Sequence, residues 1–142
     1  MAALTLAQAQ TIVSAALAHA RANKFAPMGV VVLDARGVLK AYAAEDGTSL
    51  RRSDIAIGKA HGALAMGVGS RTLGKRAEER PHFVAAVTHA VGGSLIPVAG
   101  GVLIKGEGGF IGAVGVTGDT SDNDEAAALA GIAAAGLTAD PS

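Results

Sequence analysis

Residues 97–126 read PVAGGVLIKGEGGFIGAVGVTGDTSDNDEA, and the fold turns on this stretch. Val102 to Lys105 and Phe110 to Thr117 are apolar, β-branched runs separated by Gly106 to Gly109, which reads as two strands and a tight connection. Leu95 to Val98, ahead of Gly100-Gly101, reads as a further strand. Ser121 or Asp122 then offers a side-chain oxygen to the free N–H groups of a helix. Asp124 and Glu125 lie in its first turn, where the positive helix end favours carboxylates. Gly136 stands where a left-handed C-terminal cap is expected.

Upstream, Thr5-Leu6-Ala7-Gln8 fits a capping box in which hydroxyl and amide satisfy each other's backbone N–H. Leu6, Ala9, Ile12, Val13, Ala16, Leu17 and Ala20 then repeat at three and four residues, so a helix with one apolar stripe runs to about Asn23. Met28 to Leu33 and Val38 to Ala44 flank the turn Asp34-Ala35-Arg36-Gly37 as a β-hairpin. Glu45-Asp46-Gly47-Thr48 breaks that pattern with turn residues. Ser53 is the expected N-cap of a second helix reaching Met66, with Ile55, Ala56, Lys59, Ala60, Ala63 and Leu64 at helical spacing. Gly67, Gly69 and Gly74 predict an irregular or briefly helical stretch. Pro81 suits the first turn of a short helix stopped by Gly92-Gly93. Helix, hairpin, helices, strands, helix describes one α+β domain over residues 1–142.

Composition narrows the function. Of 142 residues, 32 are alanine and 20 glycine, so each buried side chain removes little area from water and the core must pack closely or borrow area from a partner chain. The formal charge is zero, which disfavours nucleic acid as a partner. Arg51 to Arg80 nevertheless carries a net +4 and Glu107 to Ser142 a net −6, leaving room for a basic surface that meets a small anion. With no cysteine there is no disulfide, thiolate nucleophile or cysteine-ligated metal. No window approaches 18 uninterrupted apolar residues and the N-terminus lacks a basic leader, so a cytoplasmic protein without membrane contact is expected.

The chemistry-bearing residues are few. Gly112 to Gly118 resembles a phosphate loop only superficially: no Lys follows, and Asp119, Asp122 and Asp124 would face the phosphate. Its glycines read better as close packing against the last helix. Those carboxylates with Glu125 lack the spacing and central glycine of a calcium loop. His82 and His89 share a helix face two turns apart, roughly 10 Å, too far for one metal to reach both directly, and no metal site is expected. Lys59 stands on the more apolar side of its helix, where it costs desolvation unless it is paired or used. It is an ion-pair member with Asp46 or Asp124, or else an anion anchor or base beside His61 as proton carrier. Arg51-Arg52 offers a carboxylate contact.

Several blocks together resemble one family, the GlcG/HbpS-like proteins, also met as the C-terminal domain of PduO-type proteins. They are Leu4 to Ala9, Val30 to Asp34, Glu45-Asp46-Gly47, Ala56 to Ala60, Pro97 to Val102, and Gly112 to Gly118 with Asp124-Glu125-Ala126, in family order over nearly the whole chain. The resemblance implies a profilin-like antiparallel β-sheet flanked by α-helices, assembled as a homo-oligomer. It also implies haem or another tetrapyrrole as the candidate cofactor; other members sit in catabolic operons.

The expected function is small-ligand binding. Haem or a small organic anion would sit between helix 53–66, the Gly100-Gly101 turn and the last helix. Backbone N–H groups of Gly100 and Gly101 would hold carboxylate oxygens, Lys59 would supply charge, and His61, His82, His89 and Tyr42 are the nearer axial donors. The alternative is a cofactor-independent isomerase or lyase acting on a small hydroxy- or oxo-acid. There Lys59 or His61 would be the base and Asp46 or Asp124 would orient it.

Overall fold

Thr5 caps the first helix as its spacing predicts: Gln8 N–H donates to Thr5 Oγ1 at 3.1 Å and Thr5 N–H to Gln8 Oε1 at 3.0 Å. The computed structural model describes residues 2–142. Helix α1 spans Leu6–Ala22, followed by β1 (Gly29–Asp34), β2 (Leu39–Ala44), α2 (Arg52–Met66), α3 (Ser70–Glu79) and α4 (Pro81–Ala90). Strands β3 (Gly101–Gly106) and β4 (Gly109–Thr117), α5 (Ser121–Ala134) and β5 (Thr138–Asp140) complete the chain. The strands form one antiparallel sheet in the order β2-β1-β4-β3-β5, so the fold is a single α+β domain.

The period-2 alternation of strand side chains divides the core into two layers. Val30, Val32, Val102, Ile104, Val114 and Val116 pack with the α1 stripe (Ala9, Ile12, Val13, Ala16, Ala20) and with Ala127, Ala128 and Ile132 of α5. Val31, Leu33, Leu103 and Ala113 face the other way, onto Ala56, Ala60 and Ala63 of α2. Where the helix face is only alanine, attraction depends on approach distance, because dispersion falls off within an ångström. Glycine supplies that closeness. A Cβ on Gly115 would land on the Ala56 carbonyl, and one on Gly101 on the Lys59 carbonyl.

Several expectations are corrected. The Gly112–Gly118 glycines serve the approach of α2, the β1 strand and the Pro27 segment, rather than of the last helix. Ser53 lies inside α2, whose N-cap is Arg51 and has no side-chain cap. Thr120, one residue earlier than expected, caps α5 by accepting from Asn123 N–H at 3.2 Å. Gly74 does not interrupt α3; with no Cβ, it lets the helix pass close to the Pro97 carbonyl.

Leu95 to Val98 is not a strand. Ile96 N–H donates to the Gly58 carbonyl at 3.1 Å, Val98 N–H to the Ile96 carbonyl at 2.9 Å, and Pro97 has no N–H to give. Leu95 and Ile96 instead cover Gly62 and Gly58 on α2. The three-residue β5 pairs with β3, Leu103 opposite Asp140, and is too short to leave a periodic signal in the sequence.

Candidate functional site

Helix α2 carries most of the residues singled out in the sequence, and at 100° per residue it sends them in different directions. Ala56, Ala60 and Ala63 point into the sheet. Lys59 turns toward the end of β4 and the start of α5. Its Nζ donates to Asp124 Oδ2 and to the Val116 carbonyl, each at 3.0 Å. Lys59 and Asp124 are each 2 % exposed. Burial pulls the lysine below its ordinary pKa and pushes the aspartate above its own, and in both the partner's charge opposes the shift. Asp124 Oδ1 also accepts the Asp119 N–H at 2.9 Å, so the carboxylate meets donors on both oxygens.

Asp46 is not the partner of Lys59. It lines a groove of about 450 Å³ with Arg21, Pro27, Ala44 and Glu45, where Arg21 Nε meets Glu45 Oε2 at 2.7 Å. The carboxylate cradle expected at Gly100-Gly101 is filled by protein. Gly101 N–H donates to Ser70 Oγ at 2.6 Å, and Gly100 closes over Lys59 so tightly that a Cβ there would lie 2.8 Å from Nζ. Arg51 pairs with Asp54 at 3.2 Å on the surface. Arg52 reaches Thr117 Oγ1 at 3.4 Å and keeps a buried Nε without a partner.

His61, two residues on from Lys59, faces elsewhere. Its ring packs beside Gly37 in the β1–β2 turn, and Nδ1 lies 2.8 Å from the Ser94 carbonyl. A carbonyl only accepts, so Nδ1 is the donor in this contact, and in the neutral ring that leaves the lone pair on Nε2. One helical turn back, α2 and the segment after α4 border a groove of about 440 Å³ walled by Ile55, Ile57, Leu95 and Ile96, with Asp54, Gly58 and Ser94 also in its lining; His61 is not part of that lining, and the Cδ2–Nε2 edge of its ring faces Gly37. Sequence reasoning missed this groove, because residues 95–98 carry the composition of a strand. The clue that was available is the pair Gly58 and Gly62, one turn apart on a helix, which marks a close approach by another segment.

His82 and His89 are exposed on α4, and His19 packs edge-on against Phe25 at 5.7 Å. Tyr42 is 44 % exposed. Opposite Val31 in the register, it lies on the α2 side of edge strand β2. Among the described residues no three His, Asp or Glu side chains converge as a metal site, and no helix is long and apolar enough to cross a membrane.

Comparison with solved structures gives the same architecture throughout. A crystal structure of a PduOC:haem complex is 24% identical with a TM-score of 0.86, covering 96% of this chain and 98% of that one. A crystal structure of HbpS is 27% identical with a TM-score of 0.80, covering 94% and 90%. The Klebsiella pneumoniae protein ORFY is 22% identical with a TM-score of 0.85, covering 96% and 93%. No curated protein matches the sequence at a significant level. The family model described as haem degrading protein HbpS-like matches residues 4–133, and on that match the chain belongs to the HbpS-like family.

Proposed function

We propose that the chain is a small-ligand-binding protein that takes haem or a related tetrapyrrole beside α2, with His61 as the side chain that would hold the iron. The observation that carries this reading is the contact between His61 Nδ1 and the Ser94 carbonyl at 2.8 Å. An imidazole whose other nitrogen donates to a backbone carbonyl is fixed in ring orientation, as metal-ligating histidines usually are. The aliphatic walls of the groove suit a macrocycle face, and its volume falls within the range of ligand sites. Haem, when bound, supplies a redox-active iron. The chain's part would be to offer the His61 imidazole, oriented by the Ser94 carbonyl. A relative solved with haem and a family described by haem degradation support the choice of ligand.

Proton-transfer chemistry at Lys59 is less well supported, since its ammonium lies behind Gly100 with two acceptors already engaged. Self-association is supported by the open edge strand β2, where Leu39 is 54 % exposed beside Tyr42.

Haem titration of the purified protein tests the ligand. A saturable Soret band is expected for the wild type, with binding weakened at least about tenfold in His61→Ala and unchanged in His82→Ala. Equal affinity and an identical spectrum in His61→Ala would sink the assignment.

A further inference from the structure

The edge of His61 that carries Nε2 stands against the β1–β2 turn. A Cβ built on Gly37 would lie 3.4 Å from Cδ2 and 4.0 Å from Nε2. With Nδ1 engaged by the Ser94 carbonyl, Nε2 is the nitrogen left for a ligand, and a flat macrocycle bound through it would spread into the space the turn occupies.

That turn is the tip of a hairpin loosely tied to the rest of the sheet. Val32 pairs with Ala41 and Leu33 with Leu39, so Lys40 is an extra residue, a bulge that breaks the ladder just behind the tip. Val38 and Leu39 are 49 % and 54 % exposed, and little apolar packing holds them. The side-chain contacts of the turn converge on one carboxylate. Asp34 Oδ1 accepts from Arg36 N–H at 2.8 Å and from Val38 N–H at 3.1 Å, while Oδ2 accepts from Arg36 Nη2 at 2.9 Å and Nε at 3.3 Å. Backbone bonds from Gly37 N–H to the Asp34 carbonyl and from Asp34 N–H to the Val38 carbonyl, each 2.9 Å, complete it. Segments with few buried contacts and exposed hydrogen bonds open locally at low cost. The tip also has room to move. On the α1 side of the sheet, away from His61, Asp34, Ala35 and Arg36 border an apolar hollow of about 240 Å³ lined by Leu4, Phe110 and Ile111.

We propose that the β1–β2 turn is a gate over His61 Nε2, latched by the Asp34 carboxylate and opening toward this hollow. The inference rests on the haem reading of His61 and adds its regulation: the latch sets what fraction of molecules can take the ligand, and apparent affinity and uptake rate fall with that fraction.

Diethyl pyrocarbonate, which acylates an accessible imidazole nitrogen, tests the gate without haem, the extent at each histidine being read from peptide masses. His82 and His89, both exposed, and His19, packed edge-on against Phe25, are internal references. His61 should react more slowly than His82 in the wild type. Arg36→Ala removes a guanidinium whose side chain is 78 % exposed, and should speed His61 about two- to fivefold. Asp34→Ala also frees two backbone N–H groups and should speed it at least about tenfold, with the three references unchanged in both variants. Haem uptake, followed at the Soret band by stopped flow, should quicken in the same order. An unchanged His61 rate in both variants would refute the gate whatever haem does. A rise shared by His19 would refute it too, because the whole fold would then have loosened. Faster acylation of His61 with haem uptake unchanged would uphold the gate and overturn haem as the ligand it admits.

Discussion

Lys59 Nζ lies 3.0 Å from Asp124 Oδ2 with both side chains out of solvent, and this pair joins α2 to α5 beneath the end of β4. The Val116 carbonyl shares the ammonium, and the Asp119 N–H shares the carboxylate. A pair buried in this way adds little net stability, because taking two charges from water costs about what their attraction returns. Removing one member is another matter. Lys59→Met should destabilise the fold by about 3–5 kcal/mol by leaving Asp124 buried and unpaired. Lys59→Met combined with Asp124→Leu should recover much of that loss. Urea unfolding of the four proteins gives the coupling directly, and additive losses would show that the charges do not act as a pair.

Asp119, with Asp34 and Asp140, should contribute to acid lability, since all three carboxyls are held below their ordinary value. Asp119 accepts from Ala26 N–H at 2.7 Å, from Thr120 N–H and from the Asn123 amide, and the Ala26 bond first, then the others, hold its carboxyl below the ordinary value of 3.8. A depressed carboxylate contributes stability above its unfolded pKa and loses it as pH falls through the folded one. The window therefore lies below about pH 4. Asp124, whose pKa is raised, acts with the opposite sign: protonation is easier in the folded state, so acid does not cost stability there. Asp119→Asn should flatten the acid limb of a melting-temperature profile, and Asp124→Asn should not reproduce that effect.

Two glycines separate steric need from conformational need. Gly67 ends α2 at φ 70° with nothing within 4 Å of a built Cβ, so Gly67→Ala should cost only the left-handed penalty, about 1 kcal/mol. Gly115 lies in a strand, where the Cβ would meet the Ala56 carbonyl. Overpacking of this kind costs about 1–3 kcal/mol and shifts the backbone. Thermal melts should rank Gly115→Ala as the more damaging, and equal losses would mean that α2 can lift from the sheet freely.

Lys24 is the reverse case, a side chain where glycine is preferred. It follows the C-cap of α1 at φ 57°, with Phe25 N–H closing the turn onto the Ala20 carbonyl at 2.9 Å. Lys24→Gly should raise stability by a few tenths to about 1 kcal/mol, measurable as an upward shift in Tm. A fall would show that the lysine side chain holds the turn in a way its backbone does not reveal.

Local chemistry made the fold legible. The capping box at Thr5, the hairpin turn at Asp34 to Gly37 and the αL residue Gly136 each depend on a few neighbouring residues, which the sequence contains in full. Lys59 was recognisable because a cation on an apolar face needs a reason, but choosing between Asp46 and Asp124 required tertiary contact across 65 residues. The groove was hidden for the same kind of cause. Leu95 to Val98 has strand composition, yet its donors are spent on Gly58 and on itself, a result of packing on α2 that no local pattern encodes.

That packing makes Gly58 the position from which the proposed ligand site can be altered without touching His61. A Cβ there would collide with Ile96 Cγ1, beside the branch point of a stiff side chain, so Gly58→Ala should cost about 1–3 kcal/mol of overpacking while moving the segment that includes Ser94. The Ser94 carbonyl is what orients His61, and loss of such an orienting partner typically weakens a metal–ligand contact by about 10–100-fold. Haem titration should show a weaker and shifted Soret band for Gly58→Ala, and for Gly62→Ala as well, because the Cβ there meets Leu95 Cα in the peptide unit that carries the Ser94 carbonyl. If both variants bind haem as the wild type does, the ligand sits away from this groove.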